Sequence, residues 1–333
     1  MTRVQAGDAG SDAPVIGIAV GDPQGIGPEI AVRAALGVQR TRGVRTLLFA
    51  DDFVVTAVCD QLGLGPAERA GLQVQHVGAL TPSQWQPGQV AAHAGAATVA
   101  YVRAGVAAAQ AGRIAALAAA PHSETAVNAA GIPFSGYGGL LADLTGTPRD
   151  RVFLLLQAQG LRVVHCTLHE SVVAAVARIT PELVQAAARA GVETLRRMGL
   201  REPSVCVLGI NPHAGEGGLF GDEDERVTRV AVAALSASGV QVHGPLGADL
   251  ALSERRHDLY VAMLHDQGHI ATKMLSPKGA SALVAGLPLL FASVGHGAAF
   301  DIAGRGVADA GAMLDTLTLL ADAAASNPSA ASA

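Results

Sequence analysis

Residues 15–30 read VIGIAVGDPQGIGPEI. The first six are β-branched or small and apolar, which predicts a short buried strand. Gly21, Gly25 and Gly27 then mark a loop, and Pro28 stands in the first turn of a following helix, where proline is best tolerated. Strand, glycine loop and helix in direct succession form the repeating unit of an α/β protein. The glycines would let backbone N–H groups approach an anion. The spacing is not GxGxxG, so a tight structural turn remains an equal alternative.

The same alternation continues outward from this stretch. Strands are predicted at 44–50, 151–156, 161–168, 204–210 and 258–264, with one more ending in LAAAP at 117–121. Helices are predicted over 93–116, 180–199 with Thr180 as N-cap and Gly199 as stop, 225–239 and 307–325. The pattern implies largely parallel sheets, and the length of 333 residues favours two domains sharing a cleft. We place one α/β domain on residues 1–137 plus 265–333 and a second on 138–264, with the dimer interface on the second. The tail ADAAASNPSAASA (321–333) is low-complexity and expected to be disordered.

Composition narrows the function. The net charge of −5 and an aromatic content of 3% argue against a nucleic-acid surface. Three separated cysteines without a CxxC read as buried apolar residues of a reducing compartment, and the small polar N-terminus lacks a signal core. A cytoplasmic location is the expectation. No formal charge falls between Lys278 and Asp301, but glycines and Pro288 interrupt that run, so two short strands fit better than a membrane span.

Polar residues collect where predicted strands end. His169, His213 and His265 each follow a strand, and His122 follows LAAAP. That edge is where open α/β sheets bind ligands. Three neutral imidazoles meeting there would suit a divalent transition metal, whereas any one alone reads first as a hydrogen-bonded loop residue. In YVAMLHDQGHIATKML (260–275), His265, Asp266, His269 and Lys273 interrupt an apolar run, and Lys273 is one of only two lysines in the chain. His269 and His122 are candidate substrate contacts, and His165 reads as a packing residue. In GHGAAFDIAGRG (295–306), Asp301 near glycines could accept the hydroxyls of an adenosine ribose, or simply cap a helix.

Taken together, GDPQGIGPEI, GIPFSG, NPHAGEGG, the AD of GPLGADL, HDQG and HGAAFDIAGRGVAD resemble the 4-hydroxythreonine-4-phosphate dehydrogenase family over roughly 15–320. The resemblance implies an isopropylmalate-dehydrogenase-like fold and a homodimer. It implies NAD bound by Gly295, His296, Gly297, Asp301 and Arg305. It also implies a divalent metal, zinc before manganese, cobalt, nickel or magnesium, held by His169, His213 and His265 and shared between subunits. Asp249 and Lys273 match active-site positions, and Asp266 would orient a ligand. Lysine can relay a proton where arginine cannot titrate.

Departures from the family redirect the substrate. Tyr137 and Gly138 replace a histidine and threonine that contact the phosphorylated substrate, and Phe291 falls where an arginine is expected. FSGYGGLLA, LRVVHCTLHESV, GINPHAGEGGLFG and PKGASAL are similar to a branch acting on a cyclohexadiene diol with two carboxylates. Tyr137, His122, His269, Phe291 and Lys273 would then line the substrate. The expected reaction is oxidative decarboxylation to a catechol. A phosphorylated hydroxy acid is the rival substrate. A metal-dependent hydrolase is less favoured, since sequence places no obvious water-activating glutamate beside the histidines, and a non-catalytic sensor is less favoured still.

Overall fold

The computed structural model describes residues 2–3, 13–277 and 279–326. Lys278, most of the N-terminal segment before Ala13, and residues 327–333 lie outside the described residues. The chain divides into two compact units, one of residues 1–145 with 289–333 and one of residues 146–288. These bounds differ from those read in the sequence: residues 138–145 go with the first unit and 265–288 with the second.

Unit 1 holds strands β1 (Thr2–Arg3), β2 (Val15–Ala19), β3 (Arg45–Ala50), β4 (Gln73–His76), β5 (Ala116–Ala119) and, from the far end of the chain, β12 (Phe291–Val294). Their order is β1-β4-β3-β2-β5-β12, and every pair is parallel. Its helices are α1 (Gly27–Arg42), α2 (Asp52–Gln61), α3 (Pro66–Ala70), α4 (Ala92–Gln110), α5 (Glu124–Ala129), α6 (Tyr137–Thr145) and α12 (Gly311–Ser326). A parallel sheet must be covered on both faces, and its strands therefore read as continuous apolar runs. Ile16, Ile18, Leu48, Phe49 and Leu117 are all fully buried. Each contributes about 1.5–3 kcal/mol relative to exposure.

Unit 2 holds β6 (Phe153–Ala158), β7 (Leu161–His165), β8 (Val205–Leu208), β9 (Val242–Leu246), β10 (Leu259–Ala262) and β11 (Ser281–Ala285), ordered β11-β6-β7-β10-β8-β9. Its helices are α7 (Val172–Arg178), α8 (Pro181–Arg197), α9 (Arg229–Ala237), α10 (Ala248–Glu254) and α11 (His265–Leu275). The sheet is mixed. β6 runs antiparallel to both β11 and β7, while β7, β10, β8 and β9 are parallel. The expectation of largely parallel sheets misses this hairpin. Gln159 and Gly160, both at positive φ (45° and 81°), turn β6 directly into β7, as a two-residue hairpin loop requires.

Most predicted elements appear within a few residues of their expected bounds. The helix expected over 93–116 ends at Gln110, because Gly112 (φ 67°) turns the chain into β5. The Thr180 hydroxyl caps α8 by accepting from the Leu183 N–H at 3.2 Å. Part of the tail expected to be disordered is helical, since α12 runs to Ser326. The uncharged run after Lys278 forms the two strands β11 and β12. No helix among the described residues is long and apolar enough to cross a membrane.

Candidate active site

Helix α11 in unit 2 organises most of the polar residues. It starts directly after β10, and His265, His269 and Lys273 recur every four residues, so they share one face. The His265 and His269 rings stack with centroids 3.7 Å apart and planes 12° apart. His169, exposed beyond the end of β7, brings its ring centroid to 5.5 Å from that of His265. Asp266 Oδ1 lies 2.7 Å from His265 Nδ1. A proton held there leaves Nε2 as the free lone pair, the tautomer a metal ligand needs. His269 Nδ1 faces the His265 carbonyl at 3.2 Å, and burial lowers its pKa to about 4, so the His269 ring is neutral.

Two residues absent from the sequence reading set this helix in place. Gln267 Oε1 accepts from the Met263 and Leu264 N–H groups at 2.8 and 3.1 Å, closing the helix start. Its Nε2 donates to the Gly209 carbonyl at 2.9 Å, tying α11 to the end of β8. Gly268 lies against β7, where an added Cβ would stand 2.2 Å from His165 Nε2. His165 packs as expected: it is buried, its Nδ1 faces the Leu154 carbonyl at 3.2 Å, and burial lowers its pKa to about 3.

His213 is presented differently. It is exposed and begins six consecutive residues, 213–218, at positive φ (54°, 52°, 80°, 43°, 67° and 98°). A left-handed turn containing three non-glycine residues is costly and persists only when its surroundings dictate it. Asp224, fully buried, supplies the anchor. Its carboxylate accepts from the Ile210 and Asn211 N–H groups at 2.8 and 2.9 Å and from the Thr228 hydroxyl at 2.8 Å. Asp249, in the first turn of α10, lines one pocket with His213, Asn211 and Gln267. Glu216 Oε2 lies 3.4 Å from His213 Nδ1, so a glutamate does stand beside one of the histidines, contrary to the sequence reading.

One chain therefore brings His169, His265 and His269 near each other and places His213 with Asp249 in a second pocket. Among the described residues no group of three His, Cys, Asp or Glu side chains is assembled to hold a metal ion. The cysteines are free and buried, as expected. Burial pushes the Cys166 and Cys206 thiols up to about 12, which leaves them inert.

In unit 1, His122 stands just beyond β5 against a wall of rings. Its centroid lies 4.9 Å from Phe134 and 4.5 Å from Tyr137, and Tyr137 lies 5.3 Å from Phe291. Burial lowers the His122 pKa to about 4 and keeps it neutral. Phe291 is fully buried, and the Tyr137 hydroxyl donates to the Ala120 carbonyl at 2.9 Å. Both back His122 rather than project from the surface. The loop after β12 exposes Gly295, Gly297, Asp301 and Arg305. A capping role for Asp301 fails, since the next helix starts at Gly311, whose N–H donates to Asp309 Oδ1 at 2.8 Å.

An α/β fold whose imidazoles and carboxylates gather beyond the ends of its strands has the design of an enzyme. Comparison with known proteins specifies which kind. Residues 40–320 match the family model described as pyridoxal phosphate biosynthetic protein PdxA. The chain is 47% identical over 311 residues to the 1,2-dihydroxy-3,5-cyclohexadiene-1,4-dicarboxylate dehydrogenase of Comamonas sp, covering 92% of this chain and 96% of that one. A terephthalate 1,2-cis-dihydrodiol dehydrogenase from Burkholderia xenovorans LB400 superposes with a TM-score of 0.72 at 45% identity, covering 93% of this chain and 98% of that one. A 4-hydroxythreonine-4-phosphate dehydrogenase from Burkholderia phymatum superposes with a TM-score of 0.82 at 36% identity over the same shares. The chain belongs to the PdxA family and is an NAD-dependent dehydrogenase within it.

Proposed function

We propose that the protein oxidatively decarboxylates terephthalate cis-dihydrodiol, the 1,2-dihydroxy-3,5-cyclohexadiene-1,4-dicarboxylate dianion. With NAD+ it gives 3,4-dihydroxybenzoate, CO2 and NADH. One hydride leaves the carbinol carbon and one carboxylate leaves as CO2, so no net proton is released. The observation that carries this reading is the wall of Phe134, Tyr137 and Phe291 behind His122. Apolar rings and a neutral imidazole suit a flat cyclic diol. A phosphate dianion would demand fixed cations and donors, and a site lacking such partners discriminates strongly against it. The relatives named as dihydrodiol dehydrogenases, at 45% and 47% identity, support the same choice.

Roles follow from position. Gly295, His296, Gly297, Asp301 and Arg305 form the loop for NAD, with the Asp301 carboxylate placed to accept ribose hydroxyls. His122 donates or accepts one hydrogen bond at the substrate ring, backed by Tyr137 and Phe291. His269 and Lys273 meet a substrate carboxylate, and Lys273 takes or relays the hydroxyl proton. The imidazoles of His169, His213 and His265 fit a divalent transition metal in donor type, and Asp266 fixes the tautomer of His265. A second copy of the chain completes the set. Among the described residues, nine of the eleven exposed large apolar side chains lie in unit 2, including Val172, Val173, Ile270 and Met274, which fits a covered face there. When bound, the cation, zinc by preference, stabilises negative charge on the oxygen beside the departing CO2. Asp249 orients water or ligand beside His213.

The test is a paired assay of purified protein with NAD and metal, following NADH with the diol or with 4-hydroxythreonine 4-phosphate and identifying the product by mass. Catechol formed from the diol is the expected result. Turnover of the phosphorylated substrate alone would overturn the reading. Product without NADH would point to a hydrolase.

A further inference from the structure

The motif GDPQGIGPE (21–29) has no part in the roles assigned so far, and the N–H groups of Asp22, Gln24, Gly25 and Ile26 are already spent. The Gln24 N–H donates to Asp22 Oδ1 at 2.9 Å and the Gly25 N–H to the Asp22 carbonyl at 3.1 Å. The Ile26 N–H crosses to the Ala298 carbonyl at 2.8 Å. These bonds make it a structural turn, and it is aimed at the loop 295–308. Gly25 touches that loop so closely that an added Cβ would stand 2.7 Å from the Ala298 carbonyl oxygen.

Two charged residues at the start of α1 hold the loop further along. Glu29, 3% exposed, accepts the Ala308 N–H at 2.9 Å. The same oxygen, Oε1, lies 3.2 Å from Arg33 Nε, and Arg33 Nη2 donates to the Gly306 carbonyl at 2.7 Å. A strap at 85–89 locks the motif and also lies against the loop, where an added Cβ at Gly88 would stand 3.2 Å from the Phe300 carbonyl oxygen. The Trp85 indole N–H donates to the Pro23 carbonyl at 2.8 Å, and the Gly88 N–H to the Gln24 carbonyl at 2.7 Å. The loop is thus gripped at 298, 306 and 308, on both sides of Asp301 and Arg305. Ala299, just past the first grip, is held at φ 42°, a conformation a non-glycine residue keeps only under constraint.

We infer that Glu29 and Arg33 are positioning residues for the cofactor loop: they set affinity for NAD without touching it. The inference rests on the proposed reading that residues 295–305 take NAD. A buried carboxylate needs its partners, and here those partners are a loop N–H and an arginine that itself holds a loop carbonyl. Neutralising either residue releases the 306–308 end of the loop, and the binding conformation must then be selected from a wider ensemble.

The experiment compares Glu29→Gln, Arg33→Met and Arg33→Lys with wild type in the full chain. NAD binding is read by calorimetry without substrate, KM for NAD against kcat in turnover, and folding by thermal melt. Arg42→Gln is the control, since it breaks the Arg42–Asp322 pair (2.8 Å) on the same helix away from the loop. The expected result is about tenfold weaker NAD binding for Glu29→Gln and Arg33→Met, the equivalent of one charge-assisted hydrogen bond. The loss should fall on KM for NAD rather than kcat, with partial recovery in Arg33→Lys and wild-type binding in Arg42→Gln. Folded variants with wild-type affinity, or an equal loss in Arg42→Gln, would overturn the inference alone. A wild-type chain that binds no NAD would overturn the proposed cofactor loop with it. If Glu29→Gln does not fold, Arg33→Met, at a side chain 38% exposed, still decides the question.

Discussion

In unit 1, Asp22, Asp51, Glu29 and Tyr137 are buried; Asp51 and Tyr137 spend their polar atoms on other segments of the unit, and Glu29 reaches Ala308 through Oε1 while its Oε2 has no hydrogen-bond partner among the described residues. In unit 2, His169, His213, Asp249 and Lys273 stand exposed, and the fully buried carboxylate is Asp224, which supports one of them. The contrast separates two ways of using a charge. A buried one is committed to holding backbone in place, because leaving it unpaired is costly. An exposed one on a fixed element remains available to a ligand or to a second copy of the chain. On this division, unit 1 shapes a loop and an aromatic wall, and unit 2 supplies the reactive donors.

The largest test of that division is His265→Ala. Activity should fall about a thousandfold, the equivalent of about 4 kcal/mol of charge stabilisation, with metal content lost and NAD binding kept. Lys273→Ala should also abolish turnover but retain metal. Metal analysis and calorimetry on both variants decide this, and loss of NAD binding in either would break the division. Next comes Asp224→Ala. Releasing three hydrogen bonds to a carboxylate should cost about 4 kcal/mol of local stability and weaken metal binding about 10–100-fold, read by hydrogen exchange at 210–218 and by metal titration.

Asp22 sharpens the comparison from the unit 1 side. Burial pushes its carboxyl up to about 6 against backbone N–H groups and His93, which pull it down, and its Oδ2 has no hydrogen-bond partner among the described residues. Between the ordinary carboxyl value of 3.8 and about 6 the folded chain binds the extra proton, so stability falls as pH rises through that window and stays lower above it. The shift corresponds to about 3 kcal/mol. Asp22→Asn should melt like wild type near about pH 4 and above it near about pH 7.5; a gap independent of pH would refute the assignment. The smallest effect is expected for Tyr137→Phe, about 1 kcal/mol in a denaturant melt for the lost bond to Ala120, with the wall behind His122 intact.

The sequence announced β2 and β3 clearly because a parallel sheet covered on both faces leaves uninterrupted apolar runs, VIGIA and RTLLFA, whereas β4, reading QVQH, was not read. It was less clear in unit 2. Leu161–His165 looked like any other strand, and only Gln159-Gly160 hinted at the antiparallel hairpin. Helix α11 was hidden because its start is polar and contains Gly268, a poor helix former chosen for contact with His165. The histidines were legible as residues at strand ends, but not their pairing, which depends on the register of α11 and on the left-handed turn at His213. Asp224 carried no local pattern, since it holds backbone N–H groups 13 and 14 residues away; Gln267 closes its own helix start locally, but its tie to the Gly209 carbonyl crosses 58 residues. The GDPQGIGPE loop left two meanings open, and the bonds of its Asp22, Gln24, Gly25 and Ile26 N–H groups within the fold support the structural turn.

The grip of Glu29 on Ala308 spans 279 positions. As the polypeptide emerges during synthesis, residues 146–288 are complete before β12 exists, so unit 2 has every strand it needs while unit 1 still lacks its sixth. Contacts this distant are the slowest to form. Nascent chains halted short of residue 308 should therefore carry a settled middle and an unfinished beginning.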